Sequence, residues 1–416
     1  MQSRLEWLYP GLGIKRWVLL ALAGGFTLGF SLLLGVSAVV SYDRVAAIGL
    51  GSLRGHTFVT GVLVGGTFMF GCVGLYLGLR GVMRFQPPPS ASVGDIRRSA
   101  SLARGPRVTA IGGGNGLAAL LRGFKEHTSN LTAVVTVADD GGSSGKLRQD
   151  MGILPPGDIR NCLVALADDD ELMSRLFRYR FTDGGLAGHS FGNLFVAALA
   201  EITGDFERAV EESTSVLKVR GRVLPSTLVD IVLHAQMQTG DRVSGESTIT
   251  ASEHLPLRVW ITPEAPPAHP QALEAIARAD LVVLGPGSVY TSIMPNLLVA
   301  EVCDALRDTR ARVVYVCNVM TQPGETDGYT AADHLEALFR HGAAGLIDDV
   351  LVNDTPVSDE VAAAYARAGA RPVVVDPDRL QGLGVHVVHA PVAGGSNLFR
   401  HDPTRLARVL VRMAGR

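Results

Sequence analysis

The N-terminal part of the chain contains two long apolar segments. No charged residue occurs from Trp17 to Tyr42 or from Thr57 to Leu79. Each segment exceeds the roughly 20 apolar residues that an α-helix needs to cross the hydrocarbon core of a bilayer. A cleaved signal peptide would have a shorter apolar region and would not explain the second segment. The pattern therefore predicts a membrane anchor over residues 1–84, with transmembrane helices at about 17–42 and 57–79.

Basic residues next to the two apolar segments favour one topology. Lysine and arginine concentrate on the cytoplasmic side of membrane proteins. More of them flank the outer ends of the segments (Arg4, Lys15, Arg16, Arg80 and Arg84) than lie in the connecting loop (Arg44 and Arg54). Two spans also place both termini on the same side. We therefore expect both termini and the large domain in the cytoplasm, and the lipid bilayer as one partner.

Small residues recur four apart in both segments, a spacing that lets transmembrane helices approach closely or that arises by chance in glycine-rich sequence. The glycines concerned are Gly25 and Gly29, Gly61 and Gly65, and Gly74 and Gly78. Residues 85–106, which follow the anchor, begin with prolines and small polar residues. Such a composition cannot build a core, so it predicts a linker.

From residue 107 onward, short apolar runs alternate with amphipathic helical stretches. Most of the runs are apolar throughout, as in parallel strands covered on both faces. The alternation predicts an α/β domain over 107–416 with a doubly wound, mostly parallel sheet, and two alternating runs around Thr239-Gly240-Asp241 predict an inserted β-hairpin within Asp230–Thr250. The predicted strands are Val108–Ile111, Ala133–Val137, Leu257–Ile261, Leu281–Leu284, Val313–Val316, Val350–Val352 and Val373–Val375. The predicted helices are Leu117–Glu126, Phe191–Ile202, Phe206–Leu217, Ala272–Arg278, Leu297–Leu306 and Ala331–Phe339.

The amino-acid composition limits the classes of partner and site that we expect. The 416 residues are 47% hydrophobic with a net charge of −2, and the mean hydropathy of +0.24 fits a chain with membrane segments. So small a net charge does not generate the electrostatic attraction that binding of nucleic acid requires, so we do not expect nucleic acid as a partner. The 4 cysteines lie in apolar surroundings without a CxxC pair, so we expect reduced core thiols.

Glycine-rich and polar loops follow the predicted strands, where open α/β sheets bind their ligands. The first loop follows Val108–Ile111 and precedes a helix, so its glycines and the helix N-terminus suit a phosphate or ribose, with a tight turn as the alternative. It lacks the third glycine of the dinucleotide fingerprint and the Walker lysine. Its residues are Gly112, Gly113, Gly114, Asn115 and Gly116.

The second loop carries two adjacent carboxylates at the end of the next strand. Asp139 and Asp140 are candidates to accept ribose hydroxyls or to hold Mg²⁺. The residues after them, Gly141, Gly142 and Ser143, suit an anion-binding nest, and a surface turn would tolerate the same composition.

Further polar groups stand at predicted helix ends. Asp158 suits a helix N-cap, and the side chains of the following turn would then point toward the site. His189 has no obvious nucleophile beside it, so a positioning role is favoured over general base catalysis. The cations Lys218 and Arg220 follow the predicted helix Phe206–Leu217. They either interact with the dipole of that helix or form a clamp that binds a diphosphate. The candidate binding residues here are Asp158, Arg160, Asn161, His189 and Asn193, with Lys218 and Arg220 as the clamp.

Two later loops also follow apolar strands and contain little that a core requires, which favours function over packing. They contribute the candidates Gly285, Gly287, Ser288, Tyr290 and Asn318.

The loops together resemble one family. Gly112–Gly116, Val137–Gly145, Pro155–Asn161, Gly188–Asn193, Gly285–Ser292 and Asn318–Gln322 are similar, in order, to the motifs of the YvcK proteins, bacterial gluconeogenesis factors of the CofD-like superfamily. The resemblance runs from about Arg107 to the C-terminus and does not cover residues 1–106. It implies a Rossmann-like, CofD-like fold and a regulator that binds UDP-N-acetylglucosamine and is needed for cell shape and cell-wall integrity during gluconeogenic growth.

The resemblance also implies a bacterial inner-membrane location for the anchored chain, with a homo-oligomer and enzymes of cell-wall precursor synthesis as candidate partners. Near the C-terminus, Tyr365 could stack on a base and Arg400 could contact phosphate or uracil. A packing aromatic and a surface cation are the alternatives for these two residues.

Two other functions stay open at this point. The related CofD enzymes transfer a phospholactyl group to a deazaflavin with Mg²⁺, and this chain shares their glycine loop and aspartate pair. It departs from them at Pro155–Asn161 and Gly188–Asn193, which match the regulator branch, so a regulatory role is favoured over an enzyme. Binding of NAD is a third possibility, which the missing third glycine weakens.

Overall fold

The structure is a computed structural model that describes residues 14–46, 54–83, 93–168, 171–395 and 399–415. Arg4, Arg84 and the first part of the predicted linker, 85–92, lie outside the described residues. The chain divides into two compact units, Met1–Ser101 and Leu102–Arg416.

The first unit consists of helices α1 (Ile14–Ala46), α2 (Arg54–Met83) and most of α3 (Val93–Leu102). Arg16–Val39 in α1 and Gly61–Met83 in α2 are long and apolar enough to cross a membrane. The two apolar helices expected from the sequence are thus present as candidate spans. Part of the predicted linker is helical instead. The prolines of the linker all lie outside α3, so none of them interrupts the backbone hydrogen bonds of that helix.

The glycines that bring α1 and α2 together are only partly those that the four-residue spacing indicates. A Cβ at Gly78 would overlap the backbone of α1 at Ala21, whereas one at Gly25, Gly29, Gly61 or Gly65 would meet nothing within 4 Å. Hydrogen bonds between the helices add to the packing, since the Ser31 hydroxyl donates to the Val64 carbonyl oxygen at 2.8 Å. Spacing alone does not show which face of a helix meets its neighbour.

Gly24 and Gly25 offer a matched test of this packing. A Cβ on Gly24 would lie 2.7 Å from the Gly74 carbonyl carbon and 2.9 Å from the Gly71 oxygen, while one on Gly25 has open space. We expect Gly24→Val to weaken the α1–α2 packing by about 1–3 kcal/mol, as overpacking does, and Gly25→Val to leave it unchanged. Energy transfer between dyes on the two helices, with the full chain titrated with SDS, measures the difference. Equal effects of the two variants would contradict the assignment.

The second unit is built on a seven-stranded sheet in the order β10-β9-β8-β7-β1-β2-β3, in which every neighbouring pair is parallel. This confirms the doubly wound parallel sheet. A three-stranded antiparallel sheet (β5-β4-β6) and a short pair (β11-β12) accompany it. The strands are β1 (Val108–Gly112), β2 (Leu131–Val135), β3 (Arg222–Pro225), β4 (Val232–Met237), β5 (Arg242–Ser244), β6 (Pro256–Thr262), β7 (Leu281–Leu284), β8 (Arg312–Val316), β9 (Asp349–Asn353), β10 (His386–Ala390), β11 (Ala393–Gly394) and β12 (Arg400–His401).

One strand prediction is confirmed but belongs to a different sheet, and one is wrong. Leu257–Ile261 lies in β6, which pairs antiparallel with β4 outside the main sheet. Val373–Val375 is not a strand, because Val374 is 63% exposed and makes only an isolated bridge to Thr330. The strand beyond β9, at one edge of the main sheet, is β10 instead. The hairpin prediction is confirmed, since β4 and β5 are antiparallel and flank the turn at Gly240.

Helices cover both faces of the main sheet, and strands β1, β2 and β7 are buried along their whole length. Because the seven strands are parallel, their carboxyl ends and the loops that follow them meet at one edge. The helices of this unit are α4 (Gly114–Phe124), α5 (Gly142–Met151), α6 (Gly157–Leu166), α7 (Glu171–Arg178), α8 (Phe191–Thr203), α9 (Phe206–Val216), α10 (Glu246–Thr250), α11 (Pro270–Ala277), α12 (Met294–Leu297), α13 (Ala300–Asp308), α14 (Ala331–Leu338), α15 (Asp359–Arg367), α16 (Pro377–Gly382) and α17 (Pro403–Ala414).

Candidate functional site

The glycine loops after β1 and β7 are in direct contact at the carboxyl edge of the sheet. A Cβ on Gly116, in the first turn of α4, would overlap the carbonyl oxygen of Pro286. The Gly285 amide donates to the Ile111 carbonyl oxygen at 2.9 Å, and Gly285 has φ +80°, a conformation that favours glycine. The two loops that the sequence singles out separately therefore form one surface of backbone groups.

Asp158 occupies the N-terminus of α4. Its Oδ2 atom accepts a hydrogen bond from the Gly114 amide at 2.8 Å. Helix α4 has no side-chain cap of its own, because its N-cap residue is Gly113. Asp158 thus caps a neighbouring helix and not α6, in whose first turn it lies. Its carboxylate sits where the helix N-terminus would attract an anion.

The environment of Asp158 changes its proton affinity. Burial raises the pKa of Asp158 to about 6, the negative charge of Asp139 acts in the same direction, and the hydrogen bond from Gly114 opposes both. A carboxyl group with this pKa exchanges its proton near neutral pH, which suits a ligand-binding edge.

Asp139 and Asp140 stand at the end of the segment that follows β2, and each is held by a backbone amide. Asp139 accepts from Gly141 at 2.9 Å, and Asp140 accepts from Ser247, which lies between β5 and β6, at 2.8 Å. Among the residues that the structure describes, no group of three or more His, Cys, Asp or Glu side chains could hold a metal ion. Mg²⁺ is often bound by one or two carboxylates together with ligand phosphates, so the aspartate pair fits Mg²⁺ only in that shared form.

Two glutamates at this edge, Glu325 buried and Glu246 partly buried, are not indicated by the sequence. Glu325 is 2% exposed, and its Oε1 atom accepts hydrogen bonds from the Tyr290 amide at 2.8 Å and from the Ser288 hydroxyl. Burial raises the pKa of Glu325. Burial also raises the pKa of Glu246, as do the charges of Asp158 and Asp139. Glu325 lies in a loop that the sequence marks as polar, whereas Glu246 follows a short strand and has no local signal.

Helices α5, α6 and α8 bring a third set of side chains together. The Ser143 hydroxyl and the His189 Nδ1 atom are 3.1 Å apart, so His189 does have a hydroxyl beside it. Asn193 donates to the Ser144 hydroxyl at 3.4 Å. Arg160 donates to the side chains of Ser190 at 2.9 Å and Asn161 at 2.7 Å.

Lys218 and Arg220 are not part of this arrangement. They precede β3, whose first residue Arg222 pairs with Thr132 near the start of β2. The two cations therefore lie at the amino ends of the strands, opposite the glycine loops. Arg220 forms an ion pair with Asp168 there. The structure does not support the predicted diphosphate clamp at these positions.

The C-terminal candidates lie near the end of β8. Asn318 lies two residues after that strand, and the Cys317 backbone between them is close to His401 of β12. Arg400 is exposed on β12. The Tyr365 hydroxyl donates to the Phe399 carbonyl oxygen at 3.2 Å, and its ring packs on a small apolar cluster with Val319. Tyr365 thus has a packing role, and its hydroxyl ties α15 to the segment before Arg400.

The family model described as "2-phospho-L-lactate transferase CofD" matches residues 108–393 of the chain, which contain both glycine loops and the aspartate pair. The chain belongs to the CofD family. Within the family, it is 49% identical to the gluconeogenesis factor of Bacillus subtilis, over 74% of this chain and 97% of that protein. A Nostoc protein that carries the same name provisionally is 44% identical over 99% of this chain and 92% of its own length, so the alignment includes the apolar N-terminal segment.

A solved structure of a related protein has the same fold as the second unit. It is a Bacillus halodurans protein that is 49% identical, with a TM-score of 0.71, and it covers 73% of this chain and 99% of that one. Similarity at this level to proteins named as gluconeogenesis factors places the chain in the YvcK-type branch of the CofD family.

Proposed function

We propose that this protein binds a nucleotide sugar of the UDP-N-acetylglucosamine class and acts as a membrane-anchored regulatory gluconeogenesis factor. The observation that supports the proposal best is the contact between the glycine loops after β1 and β7, which form one backbone surface at the edge where α/β sheets bind ligands. The names of the relatives support the regulatory role.

The spacing of the strands matches an elongated ligand. The site loops follow β8, β7, β1 and β2, which are neighbours in that order. Adjacent strands are about 4.8 Å apart, so these loops extend over about 14 Å, the scale of an extended nucleotide sugar. Asn318 and Arg400 would contact the base, and the glycine loops the diphosphate. Asp139 and Asp140 would hold a ligand hydroxyl, or Mg²⁺ that neutralises the diphosphate.

The proposed setting is the bacterial inner membrane, with the second unit and both termini in the cytoplasm. Two candidate spans near the N-terminus support this proposal, as do the basic residues that flank them. A nucleotide sugar is available in that compartment. The protein would then help to maintain cell shape and cell-wall integrity by acting on enzymes of precursor synthesis, with a homo-oligomer as its assembly.

Calorimetry with the full chain in detergent tests the proposal. We expect saturable heat with UDP-N-acetylglucosamine and none with NAD, because the first glycine loop lacks the third glycine of the dinucleotide fingerprint. The absence of saturable heat with the nucleotide sugar would contradict the proposal. Binding of NAD alone would favour the dinucleotide alternative.

A transferase is the second candidate, and the description of the matching family model favours it. The carboxylates Asp139, Asp140 and Asp158 would then serve catalysis. The chain should in that case transfer a phospholactyl group from a nucleotide-diphosphate donor to a deazaflavin in the presence of Mg²⁺, with the product detected by mass spectrometry. Binding of UDP-N-acetylglucosamine without any such product would rule this activity out.

A further inference from the structure

Three arginines gather beside the part of the site formed by α6 and α8. Arg160 lies in α6, Arg178 ends α7, and Arg180 follows α7. Across the described ranges, none of the three forms an ion pair with a carboxylate, and the side-chain partners of Arg160 are the neutral groups of Ser190 and Asn161. Several basic side chains elsewhere in this unit, such as Arg220, are paired with acids.

The fold holds these arginines in defined places. Arg180 forms a β-bridge with Ser190, the same residue whose hydroxyl accepts from Arg160. A Cβ on Gly192 would lie 2.6 Å from the Cδ atom of Arg160, so this glycine leaves the space that the arginine stem occupies. Phe177 is fully buried against the rings of α8 and anchors α7. Packing therefore fixes the stem of Arg160 and the backbone of Arg180, while the side chains of Arg178 and Arg180 are exposed and accessible to a ligand.

The electrostatic environment of this cluster of three arginines favours binding of an anion. Burial, together with the positive charges of Arg180 and Arg178, lowers the pKa of Arg160, while the charges of Asp158 and Asp139 oppose that effect. The Nε atom of Arg160 is shielded from solvent and has no acceptor among the described residues. A buried donor without a partner is unfavourable, and an anion that accepts from it would remove that penalty.

We propose that Arg160, Arg178 and Arg180 bind a phosphate group of a small ligand, beside the carboxyl-edge site. Guanidinium groups bind phosphate oxygens in bidentate fashion, and the unpaired Nε atom of Arg160 supplies a directed donor. The phosphate belongs either to the diphosphate of the nucleotide sugar, which rests on the proposed function and would then be shared with the glycine loops, or to a separate phosphorylated metabolite.

Binding of inorganic pyrophosphate to the full chain in detergent, measured by calorimetry, tests this site. We expect saturable binding that weakens with added salt, and a loss of at least tenfold in affinity in the double variant Arg178→Gln/Arg180→Gln. The control is Arg220→Gln, which removes an arginine at the opposite edge of the sheet and should leave the affinity within twofold. Arg180→Lys should retain part of the affinity, because it keeps the charge and loses the bidentate geometry.

The outcomes separate this site from the proposed function. Absence of pyrophosphate binding, an unchanged double variant, or an equal loss in Arg220→Gln would overturn the arginine site. If UDP-N-acetylglucosamine displaces pyrophosphate in the wild type and binds more weakly to the double variant, the site holds the diphosphate of the nucleotide sugar. If both bind together, it takes a separate phosphate. Pyrophosphate binding without any binding of the nucleotide sugar would contradict the proposed function alone.

Discussion

Replacing Gly116 with alanine is expected to destabilise the second unit by about 1–3 kcal/mol and to weaken binding of the nucleotide sugar at least tenfold. The added Cβ would overlap the carbonyl oxygen of Pro286 and would lie 2.9 Å from its carbonyl carbon and 3.2 Å from the Cα atom of Gly287. All three atoms are backbone, so no side chain can rotate away. The glycine loops after β1 and β7 would have to separate, which disrupts the surface that both share.

Urea unfolding of the full chain in detergent measures the stability of this variant, and calorimetry measures its affinity. Gly382→Ala in α16 is the matched control, because its Cβ meets nothing within 4 Å. We expect that control to keep wild-type affinity and stability. A Gly116→Ala variant that binds as tightly as the Gly382→Ala variant would show that the contact between the two loops has no part in ligand binding.

The second large effect concerns pH and Asp158. The pKa of this carboxyl group is raised from 3.8 in the unfolded chain to about 6 in the fold. The native state therefore binds the proton more tightly, so Asp158 contributes stability at low pH that is lost as pH rises from about 4 to 6. The shift corresponds to about 2–3 kcal/mol.

Asp158→Asn removes this titration and keeps an oxygen that can accept from the Gly114 amide. We expect the free energy of unfolding of the variant, minus that of the wild type, to rise by about 2–3 kcal/mol between pH 4 and pH 7. Urea titrations at several pH values measure this difference, in which the contributions of other ionisable groups largely cancel. A difference that does not change with pH would mean that Asp158 titrates alike in the folded and unfolded chain.

Strands covered on both faces could be predicted, and the edges of the sheet could not. Strand β7 is a continuous apolar run, and β1 and β8 are apolar apart from Thr109 and Arg312, which is what parallel strands between two layers of helices require. Strand β10 is missed because it begins and nearly ends with histidines and lies half-exposed at the sheet edge. Val373–Val375 has the apolar composition of a strand, but composition does not show that its second valine faces solvent.

The glycine loops of the site could be predicted because glycine and its position after a strand are local signals. The cap that Asp158 provides for α4 and the contact of Asp140 with Ser247 join residues far apart in the chain, and no spacing indicates them. Lys218 and Arg220 illustrate the same limit. Two nearby cations suggest a clamp, but sequence spacing does not show at which end of the strands they lie.

The centre of the main sheet is assembled late during synthesis of the chain. Strand β1 pairs with β2 and with β7, and the neighbouring contact of Arg107 with Asp280 joins residues 173 positions apart. At about 5–20 residues per second, the ribosome needs roughly 10–30 s between these points. One edge of β1 has unpaired backbone groups throughout that time and is open to wrong partners. We therefore expect chaperone binding to the nascent chain to end only after Leu284 has emerged.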